Sequence, residues 1–275
     1  MPENVECKLM SEYLHKHYSN NVCVRLLFGP KSKYFNKPIK GFSSENWIPI
    51  DGWVTVPINM KCLNIDSKGK KIGFFFDEYC FIFSLGLEGS FRLTPANNTG
   101  LIIEFDHQKL YYDDSRRFGN FYLIHRNQLP EIMKDVGPDY LRGEVSLELF
   151  VNVIRTNKIS HHEVGWFLMQ QKYLAGVGNY IRNDAMYLAQ ISPYRLLSSL
   201  SDNDLLNLYY SIMKVMTESY TSQGKTIATY KNIDGALGGY INYCYGRKID
   251  NNGNPIITCT LNDKRTTHWC PNYQF

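Results

Sequence analysis

The sequence predicts an α+β chain: a leading helix and an all-β layered region, then a helical region that closes on a β-hairpin. Three patterns predict it. Apolar residues recur at helical spacing over residues 4–18, in short β-type runs from about 21 to 125, and at helical spacing again beyond about 140. In the first segment Val5, Leu9 and Tyr13 share one helical row and Met10, Leu14 and Tyr18 the next, with Pro2 at or just before the first turn. The runs 22–28, 53–58, 72–76, 79–83, 101–105 and 118–124 are rich in β-branched and aromatic residues and separated by Gly, Asn, Asp and Pro, which reads as a sandwich or barrel-like layer structure. Pro130, Gly137 and Pro138 then interrupt both periodicities and mark a boundary. Helices are predicted near 146–156, 161–171, 180–190 and 202–222, the last opened by Ser201 as N-cap with Asp204 three residues on. Gly235, Gly238, Gly239 and Gly246 precede alternating residues at 256–259 and 266–269, the pattern of a closing hairpin.

Composition bounds the rest. At 275 residues the chain holds two ordinary domains, and 44% hydrophobic with 20% charged residues excludes extended disorder. The longest apolar stretches, 73–76 and 79–87, are strand-length, so no membrane span and no membrane partner are expected. The N-terminus carries acidic residues where a signal peptide needs basic ones, so an intracellular location is expected, the cytoplasm of a microbe or the compartment where a virus keeps its DNA. Seven scattered cysteines suit free thiols in a reducing compartment. A net charge of +4 is too mild to identify a nucleic-acid partner, so local clusters carry that argument.

A proline behind Met1, once exposed, offers a secondary α-amine, which titrates near ~8 against ~10.4 for lysine and is therefore more nucleophilic at neutral pH. A helix N-terminus disfavours its protonated form further, making Pro2 a Schiff-base nucleophile. Glu3 and, one turn on, Glu6 supply carboxyls for proton transfer. The plain alternative is a first-turn proline with acidic residues complementing the helix dipole. Four further motifs follow in order. Ser67-Lys68-Gly69-Lys70-Lys71 is a basic turn or a solvated hairpin tip. Gly86-Leu87-Glu88-Gly89-Ser90 brackets one apolar residue, which is exposed or a core leucine. Asp113-Asp114-Ser115-Arg116-Arg117-Phe118-Gly119 suits insertion into a duplex, an apolar wedge replacing an extruded base while arginine satisfies its orphaned partner, or forms a salt-bridged turn. Gly176-Val177-Gly178-Asn179 is a turn between two helices whose amides suit a phosphate cradle, or simply join packed helices.

This order of motifs, with a C-terminal Gly246-Arg247 and Arg265-Thr266-Thr267, resembles the formamidopyrimidine-DNA glycosylase/endonuclease VIII family over essentially the whole chain. The resemblance implies an N-terminal catalytic β-sandwich domain with a leading helix (1–130), a helix-two-turn-helix domain (140–235) and a C-terminal β-hairpin finger (236–275). It implies a bifunctional DNA glycosylase and abasic-site lyase of base excision repair, which forms a Schiff base on the N-terminal proline and proceeds by β,δ-elimination. Pro2, Glu3, Glu6 and Lys70 fall in catalytic places, Leu87, Arg116 and Phe118 in the void-filling trio, and Asn179 and Arg265 on DNA phosphate. The partner implied is damaged DNA, double-stranded with single-stranded DNA as a second form, bound by a monomer; no cofactor is expected.

The chain departs from the family pattern in its finger. Most members carry two Cys-x-x-Cys pairs on zinc, whereas here Ile256 and Tyr273 take two ligand places and Cys259 and Cys270 the others. His268 and Cys244 could complete four ligands but stand at no family ligand position. The expectation is therefore a zincless finger with no metal. The opening Met-Pro-Glu-Asn-Val-Glu and Ser84 before Leu87 tilt the resemblance towards endonuclease VIII-like members, which implies oxidised pyrimidines, hydantoins and also formamidopyrimidines as substrates, with the lesion-facing loop within 223–240. The alternative is a catalytically silent damaged-DNA-binding module on the same scaffold.

Overall fold

The computed structural model describes residues 2–35, 48–50, 52–156, 158–225 and 232–275. They form two compact units: Pro2, Glu6–Lys134 and 232–238 make the first, and Glu3–Val5, 135–225 and 239–275 the second.

Helix α1 (Asn4–Tyr18), whose bounds are those predicted, belongs to the first unit from Glu6 onward. Of the two predicted rows, the one that faces the core is Met10, Leu14 and Tyr18, joined by Cys7, while Leu9 and Tyr13 lie half-buried beside it. Ten strands follow among the described residues: β1 (Val22–Phe28), β2 (Ile48–Ile50), β3 (Trp53–Lys61), β4 (Asn64–Lys68), β5 (Lys71–Phe75), β6 (Tyr79–Ser84), β7 (Ser90–Arg92), β8 (Thr99–Phe105), β9 (Lys109–Asp113) and β10 (Asn120–His125). They pair antiparallel into a six-stranded sheet, β2-β3-β1-β8-β9-β7, and a four-stranded sheet, β10-β6-β5-β4. Alternation decides which side chains point inward. Leu26, Phe28, Val56, Leu101 and Ile103 of the larger sheet enclose one core with Ile72, Phe74, Phe81, Phe83 and Phe121 of the smaller, so the layer structure is a sandwich. The other face of the small sheet carries Cys80, Ile82 and Ile124, which pack with Leu129 and Ile132. Buried on both faces, β6 therefore reads as a continuous apolar run instead of an alternating one.

Strands β2, β4, β7 and β9 are absent from the sequence reading. Asn64-Ile65-Asp66-Ser67-Lys68 holds one apolar residue because β4 is an edge strand, and β2 and β7 are only three residues long. Proline did not stop helix formation at the predicted boundary either: α2 (Leu129–Met133) accepts Pro130 in its first turn, where no N–H partner is needed.

The second unit contains α3 (Leu147–Thr156), α4 (Val164–Phe167), α5 (Asn179–Leu188) and α6 (Asp202–Thr221), then the hairpin β11 (Ile257–Thr260) and β12 (Thr266–Trp269). The predicted capping box opens α6: the Ser201 hydroxyl accepts from the Asp204 N–H at 3.1 Å and the Asp204 carboxylate from the Ser201 N–H at 2.9 Å. The helix predicted over 161–171 shrinks to α4, because Met169 and Gln170 bond three residues back, to Trp166 and Phe167, and tighten out of the α pattern. Phe150 of α3 meets Phe167 and Tyr209, while α5 supplies Tyr180, Ile181, Ala185 and Met186 and α6 Leu205, Leu208 and Ile212 to the interior.

Candidate active site

In the second unit the chemistry is organised at a helix end. Helix α5 begins after Gly178, which leaves the first N–H groups of the helix without intrahelical partners. The Glu3 carboxylate takes two of them: Tyr180 N–H donates to Oε1 at 3.0 Å and Ile181 N–H to Oε2 at 3.3 Å, with Glu3 only 3% exposed. Two aligned amides and the positive end of the helix dipole stabilise its negative charge. Glycine makes the approach possible. A Cβ on Gly178 would stand 2.1 Å from the Glu3 carboxyl carbon, and one on Gly176, whose φ is +87°, 2.4 Å from the Asn4 side chain. Asn4 is fixed in turn, its N–H donating to Gly176 O at 3.1 Å and its Nδ2 to Asp139 Oδ1 at 2.7 Å. Gln171 braces the turn, donating to Val177 O at 2.8 Å and accepting from the Gly176 N–H at 2.9 Å.

Two of the helix-end amides near the turn read as a phosphate cradle, those of Tyr180 and Ile181, are taken by the chain's own carboxylate, which asks the same of a helix N-terminus as a phosphate does. Asn179 is half-buried and wedged, its Nδ2 donating to Thr266 O at 2.9 Å and its Oδ1 accepting from Arg182.

Three consecutive buried polar residues of α5 then fix the C-terminal segments. Arg182, fully buried, donates to Asp263 at 2.6 Å, Thr267 at 2.7 Å and Gly165 O at 3.1 Å; burial lowers its pKa and Asp263 opposes the shift. Asn183 accepts from His268 N–H at 2.7 Å. Asp184 accepts from the Cys244 and Tyr245 amides at 2.9 Å, the Tyr243 amide at 3.1 Å and the Tyr240 hydroxyl at 3.0 Å. Burial pushes its carboxyl above the ordinary value and those four donors pull against it. The hairpin so held carries Arg265 on its exposed tip, where the Arg265 N–H is turned by Asp263 Oδ1 at 3.0 Å. The ends of the expected lesion-facing loop are tied by Gly239 N–H to Ser222 O at 2.8 Å and Tyr240 N–H to Gly224 O at 3.1 Å; residues 226–231 lie outside the described residues.

The finger positions do not fit a structural zinc ion. Ile256, Cys270 and Tyr273 pack with Tyr187 and Cys244 in one small apolar cluster, whereas Cys259 lies half-buried on β11. Among the described residues no group of three or more His, Cys, Asp or Glu is placed to hold a metal.

In the first unit Pro2 is buried just before α1 and Glu6 is fully buried on its first turn. Lys70 stands with Gly69 in the two-residue turn between β4 and β5, where Lys68 pairs with Lys71. Gly69 at φ +57° takes the first central place of that turn. The hairpin is tied to α1 by Ser11 and Ser67 hydroxyls 3.1 Å apart and by Lys8 and Asp66 at 3.5 Å. The predicted trio also comes together here. Leu87, half-buried, sits in the turn closed by Gly89 N–H to Leu85 O at 2.9 Å. A Cβ on Gly86 would lie 2.7 Å from the backbone of Phe118 and Gly119, so this turn rests directly on the Asp114–Gly119 loop. Phe118 there is 59% exposed, and Arg116 Nε pairs with Glu88 Oε1 at 3.1 Å.

The structure thus sets the Leu87 turn against the Arg116–Phe118 loop and places Lys70 in a hairpin turn, while sequence reasoning misses Gly178 as the seat of Glu3, Arg182 and Asp184 as anchors, and Glu88 as a partner of Arg116. A detectable signal exists for Arg182 and Asp184, charged residues embedded among Tyr180, Ile181, Ala185 and Met186; Glu88 has none.

The comparisons agree on one family. Residues 1–121 match the formamidopyrimidine-DNA glycosylase N-terminal domain and residues 136–231 the formamidopyrimidine-DNA glycosylase H2TH domain. The formamidopyrimidine-DNA glycosylase of Listeria monocytogenes is 30% identical over 239 residues, 82% of this chain and 86% of that protein. Its Thermus thermophilus counterpart is 30% identical over 227 residues, 78% and 82% of the two chains. Among solved structures, the MutM (Fpg) protein of Thermus thermophilus superposes with a TM-score of 0.85 at 24% identity, covering 99% of this chain and 98% of that one. The Lactococcus lactis Fpg bound to DNA containing an abasic site gives 0.83 at 22% identity, covering 99% of each chain.

Proposed function

Because the chain belongs to the formamidopyrimidine-DNA glycosylase family, the DNA glycosylases of base excision repair, we propose that it excises oxidised bases with its proline amine and then cleaves the strand. The observation that carries the reading is the seat of Glu3: a carboxylate adjoining Pro2 in sequence, buried, and held by two amides of α5. A side chain that served only the helix dipole would not need a turn cleared of Cβ atoms at Gly176 and Gly178.

In the proposed mechanism the damaged nucleotide leaves the stack, since its C1′ is otherwise inaccessible. Leu87, Arg116 and Phe118 fill the space it vacates. With Met1 removed, the neutral Pro2 nitrogen attacks C1′; the glycosidic bond breaks and the base departs with its electron pair. Glu3 takes the proton that the amine gives up and delivers it to the sugar ring oxygen as the C1′–O4′ bond opens, leaving an iminium. The iminium acidifies the adjoining C–H, so the 3′ and then the 5′ phosphate are expelled, and water hydrolyses the imine to regenerate the amine. Glu6 relays protons one helical turn away. Lys70, Asn179 and Arg265 hold phosphates, so their removal weakens binding and flattens its salt dependence more than it slows chemistry. We propose oxidised pyrimidines, hydantoins and formamidopyrimidines as the substrate class; the names of the relatives favour the last.

The test is borohydride trapping on duplexes carrying thymine glycol, a hydantoin, a formamidopyrimidine or an abasic site. A covalent adduct is expected with the chain that begins at Pro2, and none with Pro2→Gly or with Met1 retained. An undiminished adduct in either would falsify the assigned nucleophile, and tight binding without any adduct would leave a damage-binding module.

A further inference from the structure

In the second unit three rings stack one on another at the start of α4. His161 meets His162 with ring centroids 4.1 Å apart and 37° between the planes, and His162 meets Trp166, one helical turn on, at 3.8 Å and 15°. The ladder is exposed at His161 and half-buried at His162 and Trp166. Backbone bonds fix it: His162 N–H donates to Ile159 O at 2.9 Å, Leu197 N–H to His162 O at 3.0 Å and Ser198 N–H to Ser160 O at 2.9 Å. A stack already held in place can add a further planar ring at little cost in ordering. His162 and Trp166 alone would brace so short a helix, whereas the exposed His161 ring extends the stack outward.

The C-terminal hairpin meets the same segment. Asn262 Nδ2 donates to Glu163 Oε2 at 3.4 Å, Arg182 donates to both Gly165 O and Asp263, and a Cβ on Gly165 would stand 2.3 Å from the Leu261 side chain. The acids Glu163 and Asp263 thus accept from the protein itself, and Lys264 and Arg265 beside them are exposed. Burial, and after it the neighbouring His161, holds the His162 imidazole below its ordinary value, with Glu163 opposing. The middle ring is therefore uncharged at neutral pH and stacks through its π face.

We propose that the His161–His162–Trp166 ladder is a stacking site for an unpaired base of single-stranded DNA, with the cations of the hairpin tip on the phosphates beside it, an inference resting on the DNA-repair function proposed for the chain. Every base has a π face, so the site is tolerant of sequence. Bases within a duplex already stack on one another and do not fill it. The occupant is a single-stranded stretch adjoining the lesion-bearing duplex. Stacking and phosphate contact can be told apart, because only the second releases counterions and weakens steeply as salt rises.

The experiment uses the full chain beginning at Pro2 and duplexes carrying a tetrahydrofuran abasic-site analogue, extended on the 3′ or the 5′ side by a short run of thymidines or of abasic residues. Dissociation constants are measured over a range of salt for the unaltered chain, His161→Ala, Trp166→Ala, Trp166→Phe and Arg265→Ala. On one of the two sides the thymidine tail is expected to tighten binding roughly tenfold over the abasic tail. His161→Ala and Trp166→Ala remove most of that ratio without changing the salt slope, and Trp166→Phe, which keeps a ring, retains it. Arg265→Ala keeps the ratio and lowers the slope by about 0.7–0.9. Equal affinity for the two tails on both sides overturns the proposal, as does a ratio that His161→Ala leaves intact. Urea unfolding accompanies each variant, and if Trp166→Ala does not fold, the exposed His161 decides. If the unaltered chain binds the analogue no better than undamaged duplex, the repair reading falls; isolated thymidine and abasic strands still read the ladder, and equal affinity for those two strands sinks it separately.

Discussion

Two glycine-rich turns, Gly176-Val177-Gly178 in the second unit and Gly86-Leu87-Glu88-Gly89 in the first, look alike in sequence and serve opposite purposes. At the first, absent side chains admit groups of the chain itself, Glu3 and Asn4, and both of these are buried. At the second, absent side chains let one loop rest on another and leave Phe118 and Arg116 in solvent. One turn fixes a charge and the other presents an unfinished surface. The lesson is that a glycine motif reports close approach, and only the structure says what approaches.

Gly178→Ala strikes hardest at that contrast. Its methyl would collide with the Glu3 carboxylate, so trapping activity is expected to fall by more than about a hundredfold, with a loss of stability of about 2 kcal/mol read by urea unfolding. Near-normal trapping would show that the seat is dispensable. Glu3→Gln keeps the shape but removes the charge and the exchangeable proton; a decrease of ~10²–10⁴-fold in the trapping rate is expected, with binding to abasic duplex retained. Arg182→Met tests whether the buried anchoring belongs with the fixed region: stranding Asp263 should cost about 3 kcal/mol in urea unfolding. On the exposed side the balance reverses. Phe118→Ala should change stability by less than about 0.5 kcal/mol yet weaken binding to an abasic duplex by roughly tenfold, and a large stability loss would erase the distinction drawn here.

The smallest expected effect is in acid. Burial by itself would raise the Asp250 carboxyl, but the side chain and N–H of Asn254, the Asn252 N–H and the Tyr187 hydroxyl bring it down to about 2. Its folded pKa is thus depressed below the ~3.9 of an unfolded aspartate, so its contribution to stability is complete above about pH 4 and is lost as pH falls towards 2. Asp250→Asn should flatten the pH dependence of unfolding in that window and leave neutral pH comparatively unaffected.

Local elements were legible where a single chemical rule decides them. The spacing of Met10, Leu14 and Tyr18, the Ser201–Asp204 box and the β-type run over 22–28 each reappear at the predicted place. Edge strands such as β4 were not, because a strand with solvent on its flank needs few apolar residues. At the candidate site the trio at Leu87, Arg116 and Phe118 was legible as motifs, but the occupant of the α5 N-terminus was not. A carboxylate and a phosphate satisfy the same amides, and nothing in the residues around Gly178 names a partner 177 positions before Tyr180.

That span sets an order of events during synthesis. Ribosomes make Glu3 almost first, yet the amides that hold it, on Tyr180 and Ile181, leave the exit tunnel only after most of the polypeptide has been made. Until then the N-terminal segment has no docking place, so a prematurely terminated product that stops short of Tyr180 would carry Glu3 without the amides that hold it.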